Sequence, residues 1–195
     1  MTPRTSEVKR VTKETSISIL LDLDRSEPIE IKTGLAFFDH LLTSMAFHGR
    51  FSLTVTAKGD LAVDGHHLVE DTGIVLGQAL AGAQVKAGTV ERFGHAVIPM
   101  DEALVEAAID VCGRSTLGYR MRYPQERVGD FDVALIREFM GGLCMQAGIS
   151  LHVESRCGEN SHHIAEALFK ALGKALSRAY GPSVNEMSSK GRTGY

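Results

Sequence analysis

Cysteine is scarce: Cys112, Cys144 and Cys157 are odd in number, with no CxxC pair among them. That argues against a secreted disulfide framework and for a reducing compartment, the cytoplasm. Charge of one sign is scarce as well. Lys+Arg number 21 against Asp+Glu 24, a formal net charge of −3. No global basic field draws such a chain to nucleic acid or anionic lipid, so a small-molecule partner is favoured. Long apolar runs are missing too. MTPRTSEVKR has no apolar signal core, and no later run approaches the ~20 residues of a spanning helix, so a soluble protein with no membrane partner is expected. What is present is 44% hydrophobic residues over 195 positions, enough for one compact unit or two small halves packed together.

Against that background one pattern occurs twice. DGHHLVED at 64–71 and SHHIAEA at 161–167 each put adjacent histidines three and four residues before a glutamate. On a helix Glu70 shares a face with His66 or His67, and Glu166 with His162 or His163. Neighbouring helical residues point about 100° apart, so the two imidazoles of one pair are poorly placed to reach one ion. Each pair is therefore expected to serve two metals. A polar helix start would account for one such motif, but two with matched context point to metal ligation. Imidazole and carboxylate without thiolate suit Mn, Fe or Zn, and octahedral Mn where water or substrate fills open positions.

The surrounding order also repeats. TSISILLDLD (15–24) alternates as a strand, IEIKT follows, FFDHLLTSMAFHG (37–49) has helical spacing with Gly49 as its C-terminal stop, and FSLTVTA (51–57) alternates again before the first HHxxE helix. The second half runs through 102–114, 117–123, 132–148, 149–155 and 162–180 in the same sequence of types. Leu53 and Val55 fall on Leu151 and Val153 at a shift of 98, and the HHxxE motifs align at 96, a two-residue indel. At 98, His40 falls opposite Glu138, and both are metal-capable. The reading is an α/β fold, an α+β sandwich with an internal duplication. Each half is a small, mostly antiparallel or mixed sheet covered by two helices. The first repeat spans 1–90, the second 91–180, and a tail 181–195. A weaker thread is anion binding: Arg92 and Arg114 offer forks, Lys170 and Lys190 point charges, and Ser189 stands beside Lys190 in a polar tail, a set of the kind that holds phosphate.

The chain resembles the imidazoleglycerol-phosphate dehydratases of histidine biosynthesis. The likeness runs in order through KETSI, GLAFFDHLLTSMAFHGRFSL, DGHHLVEDTGIVLGQAL, ERFGHAVIPMDEAL, IDVCGR, VGDFD, REFM, ISLHV, ENSHHIAEALFKALGKALSRA and SSKG, nearly the whole chain. It implies a hydro-lyase that removes water from imidazole glycerol phosphate to give imidazole acetol phosphate. It further implies Mn(II), two ions per active site, at sites between subunits of a homo-oligomer in which trimers build a 24-subunit shell. His40, His66, His67, Glu70, His162, His163 and Glu166 would be the ligands, with Glu138 standing where some relatives carry histidine. Arg92, Arg114, Lys170, Ser189 and Lys190 would hold the phosphate.

The hydrogen to be removed lies on a carbon that no carbonyl acidifies. The expected route deprotonates the metal-bound imidazole of the substrate, and that imidazolate expels the neighbouring hydroxyl through a diazafulvene-like intermediate. Proton transfer then falls to Glu14, Glu70 or Glu166, and to Glu14 if the other two are full-time ligands; Glu14 then also meets the substrate. A dinuclear metallohydrolase and a metal-storage shell are the competing readings. The first lacks the Asp-rich ligand sets expected of it, and the second leaves the clustered cations unexplained.

Overall fold

The structure is a computed structural model that describes residues 3–184. The first half contains β1 (Thr5–Val11), β2 (Thr15–Asp22), β3 (Ile29–Lys32), α1 (Ala36–Gly49), β4 (Ser52–Gly59) and α2 (His66–Ala87). The second contains β5 (Phe93–Met100), β6 (Ala103–Val111), β7 (Thr116–Arg120), a small hairpin of β8 (Arg127–Val128) and β9 (Phe131–Asp132), α3 (Leu135–Ala147), β10 (Ile149–Cys157) and α4 (Ser161–Ala179). The sheets run β1-β2-β4-β3 and β5-β6-β10-β7. In each, the first three neighbours are antiparallel and the last pair parallel. The two halves thus share one topology, as the duplication requires.

Besides the short β8–β9 hairpin, two strands escape the sequence reading. β1 and β5 open their halves, so each repeat begins strand, strand, strand rather than strand, strand. TSEVKRV is mostly charged or polar, and FGHAVIPM carries Gly94 and Pro99, so neither shows a clean alternation. Register makes the duplication quantitative. Leu21 and Ile29 flank Leu53 in the first sheet, and Ile109 and Leu117 flank Leu151 in the second. Strands before the first helix are therefore related by 88 positions and those after it by 98. The ten additional residues of the second half lie in the segment that carries the β8–β9 hairpin.

Ile17, Ile19, Leu21, Leu53 and Val55 line the inner face of one sheet, and Val105, Ala107, Ile109, Leu151 and Val153 that of the other, all buried. α2 lies on β1 and β2 and α4 on β5 and β6, while the helices of one half pack on those of the other, α2 on α3 and α1 on α4. These crossings are close because they are made through glycine. A Cβ on Gly77 would stand 2.6 Å from the Leu143 carbonyl oxygen, and one on Gly173 would stand 2.1 Å from that of Met45. Gly77 and Gly173 are equivalent at the HHxxE shift of 96, and Met45 and Leu143 at 98. Gly49 is not the stop expected of it. It is the last residue of α1, packed beneath Gly173, and Arg50 takes the left-handed position at φ 57 that Gly148 takes after α3. Among the described residues no helix is long and apolar enough to cross a membrane.

Candidate active site

α1 against α4 sets His40 beside the second motif. His40 Nε2 lies 3.1 Å and His162 Nε2 3.3 Å from the same oxygen of Glu166, and Lys170 Nζ donates to the other at 2.8 Å. Phe37 backs the imidazoles, its ring centroid 4.9 Å from that of His162 and 6.2 Å from that of His40. Ligand atoms of His40, His162 and Glu166 lie within 4.8 Å of one another. Burial works to raise the Glu166 carboxyl, but the hydrogen bonds and charges of Lys170 and His40 prevail and hold it at about 2.

The adjacent histidine looks elsewhere. The His162 and His163 rings are 6.1 Å apart at 83°. His163 Nδ1 meets Glu102 at 2.8 Å, and its Nε2 lies 3.7 Å from Asp101. Asp101, Glu102 and His163 form a second group with ligand atoms in range of one another. Glu102 also accepts the backbone N–H groups of Glu159 and Asn160 at the start of α4. The His163 hydrogen bond, with those backbone donors, lowers the Glu102 carboxyl to about 2. The same bond raises His163.

In the first half His66 Nε2 lies 3.6 Å from Glu70 at i,i+4, and His67 Nδ1 meets Asp60 at 3.1 Å. The His66 and His67 rings stand at 89°. The Asp60 bond raises His67, with the charge of Glu14 contributing. Glu14 itself sits exposed in the β1–β2 turn. Glu138, on the first turn of α3, lines an opening of about 470 Å³ with Tyr119, Tyr123, Glu126, Asp132 and Arg137. Among the described residues it joins neither three-donor group, and neither do His66, His67 and Glu70. One chain thus gathers His40, His162 and Glu166 at one point and His163 at another, and leaves the first motif with fewer neighbours.

The expected phosphate ligands are not gathered into one cradle. Arg92, at φ 69, makes a fork to Asp110 at 2.7 and 3.2 Å and lies over the Phe93 ring. Lys170 is engaged with Glu166, Arg114 is exposed beyond β6, and Ser189 and Lys190 lie outside the described residues. Sequence reasoning passed over Asp60, Glu102 and Phe37. Phe37 stands in a stretch already singled out and Asp60 in the unassigned segment between FSLTVTA and the first motif, and the roles of both need a third dimension to be seen. A signal for Glu102 was present in the shift of 88 between the halves, hidden because β1 and β5 were not recognised as strands.

Paired histidine–carboxylate clusters at the starts of duplicated helices, backed by sheets and open to solvent, define an α/β enzyme with a metal-capable site. Residues 33–176 match the family model described as imidazoleglycerol-phosphate dehydratase. Imidazoleglycerol-phosphate dehydratase of Phenylobacterium zucineum is 51% identical over 176 residues, 90% of either chain. That of Gluconacetobacter diazotrophicus is 48% identical over 178 residues, 91% of this chain and 90% of the relative. The crystal structure of the Staphylococcus aureus enzyme superposes with a TM-score of 0.84 at 35% identity, covering 92% of this chain and 99% of that one. The Pyrococcus furiosus enzyme, solved in complex with (S)-C348, gives 0.83 at 38% identity, covering 94% and 99%. The chain belongs to the imidazoleglycerol-phosphate dehydratase family of histidine biosynthesis and is an enzyme of the hydro-lyase class.

Proposed function

We propose that the chain dehydrates imidazole glycerol phosphate to imidazole acetol phosphate with Mn(II) as cofactor, two ions per active site. The observation that carries the metal is the convergence of His40, His162 and Glu166, two imidazoles and an ionised carboxylate within ligand range. That mixed N/O donor set, without thiolate, fits a divalent first-row ion with open positions. His66, His67, Glu70, Glu138 and His163 complete the ligand sets, with donors from a neighbouring subunit; trimers forming a 24-mer in the cytoplasm are the assembly this reading takes from the family.

When bound, the metal supplies Lewis acidity and a template for the imidazole ring of the substrate. Deprotonated, that ring expels the hydroxyl of the carbon attached to it, through a diazafulvene-like intermediate. The hydrogen on the next carbon then leaves as a proton to a carboxylate. The resulting enol regains a proton at the ring-attached carbon and becomes the ketone, so the net loss is one water. Glu166 is engaged by His40, His162 and Lys170, and Glu70 faces His66, which leaves Glu14 for the proton work. Arg92, Arg114, Lys170, Ser189 and Lys190 are assigned to the phosphate; Lys170 at 2.8 Å from Glu166 places one cation beside the donor cluster.

The test is the rate of imidazole acetol phosphate formation by metal-stripped protein, before and after Mn(II) is restored. Activity lost on stripping and regained with Mn(II) is the expected result. Full activity in the stripped protein would remove metal from the mechanism. No product with Mn(II), Fe(II) or Zn(II), despite tight binding of each, would favour a metal-storage role.

A further inference from the structure

The two halves can be superposed strand by strand. Val8 pairs with Ile19 in the first sheet and Ala96 with Ala107 in the second, partners related by 88 positions. Carried around the β1–β2 and β5–β6 turns, the same shift sets Glu14 on Glu102. Each turn lies near the start of an HHxxE helix, but the two glutamates behave differently. Glu102 meets His163 Nδ1 at 2.8 Å. Glu14 acts on His67 through its charge alone, and among the described residues its side chain has no hydrogen bond or ion pair. The carboxylate on His67 Nδ1 is instead Asp60, at 3.1 Å, from the loop between β4 and α2. Asp60 has no acidic counterpart, because the shift of 98 relating β4 to β10 sets it on Gly158.

The second histidine of each motif therefore receives the same bond from carboxylates of different ancestry. A contact merely copied by duplication would come from equivalent positions. A neutral imidazole carries one N–H, and an anionic acceptor at Nδ1 fixes the proton there and leaves the Nε2 lone pair for a cation. Carboxylates on the far nitrogen of a metal-bound histidine also lock the ring's aim. The geometry points to Asp60 and Glu102 as positioning residues that hold the Nδ1 protons of His67 and His163 and present Nε2 to the metal; by taking over His67, Asp60 releases Glu14 for proton transfer. This deepens the metal-dependent reading of the same site and rests on it.

The test uses the full chain, stripped of metal, titrated with Mn(II) by calorimetry, with ring ¹⁵N shifts reporting which imidazole nitrogen carries the proton. Asp60→Ala and Glu102→Ala are each expected to weaken Mn(II) binding about 10- to 100-fold and to release the Nδ1–H tautomer of His67 and His163 respectively. Glu14→Gln is expected to bind Mn(II) as the wild type does and to lose turnover. Glu102 also accepts two backbone N–H groups, so Glu102→Gln, which keeps an acceptor oxygen, is measured beside the alanine variant and is expected to fall between it and wild type. Wild-type affinity with an unchanged tautomer in Asp60→Ala would overturn the assignment, as would loss of Mn(II) in Glu14→Gln equal to that in Asp60→Ala. A wild-type chain that takes up none of Mn(II), Fe(II) or Zn(II) overturns the metal reading itself, and this is seen before any variant is compared.

Discussion

Glu166 is held by His40, His162 and Lys170 together, and its acid–base behaviour follows from them. Its folded value of about 2 lies below the ordinary 4.5 because the Lys170 and His40 partners outweigh the burial that opposes them. The folded state thus favours the ionised form. That contribution to stability is present in full above about 4.5 and is lost as pH falls through about 2. Denaturant titrations of metal-free wild type and Glu166→Gln across that window should show the wild-type advantage shrinking toward acid. A constant gap would mean that Glu166 does not contribute through its charge. Tyr180 is a simpler case. It is 1% exposed, and among the described residues its hydroxyl has no partner. An unpaired buried hydroxyl costs about 1–3 kcal/mol, so Tyr180→Phe is expected to stabilise the fold by about 1 kcal/mol, read as a higher midpoint in urea. At this scale the sequence made the ligands legible because histidine pairs and glutamates repeat with fixed spacing. It left Asp60 and Glu102 invisible, since each acts through a loop that folding brings to a helix.

Among the elements, the helix crossings decide whether the donors meet at all. His40 rides on α1, His162 and Glu166 on α4, and the approach of the two helices depends on Gly173 having no Cβ. Gly173→Ala is expected to cost about 1–3 kcal/mol through overpacking and to weaken metal binding as well, because it moves His40 off Glu166. Calorimetric melting and Mn(II) titration on the same sample check both. Gly141 in α3 is the contrast: among the described residues, nothing outside its own helix backbone and chain neighbours lies within 4 Å of the position its Cβ would take. Gly141→Ala should stabilise the protein by about 0.5–1 kcal/mol, and a loss there would show that helix spacing is not what these glycines govern. The helices and the inner strands could be read from apolar periodicity, which is the imprint of one-sided burial. β1 and β5 could not, because edge strands bury fewer side chains and hold charge on the outer face. The β8–β9 hairpin is too short to have a period.

For the whole molecule, the duplication was legible as a shift between halves, yet its consequence for the site was not, since a sequence does not say which helix meets which. The packing pairs α2 with α3 and α4 with α1, so the helix that carries each motif lies on a helix of the other half. Neither three-donor group draws on residues of the first motif. A site that needs both motifs is then most simply built from two copies, as a heterologous contact that closes into a symmetric assembly. The consequence can be tested by mixing lesions. His162→Asn in one population and His67→Asn in another should each abolish turnover. Co-assembled from unfolded or co-expressed chains, they should recover about a quarter of wild-type activity, because random pairing leaves that share of interfaces with both motifs intact. Sites built within single chains would recover nothing, since every chain carries one lesion. Recovery that appears only on co-assembly, and not on mixing preformed assemblies, would place the boundary between subunits at the metal ligands.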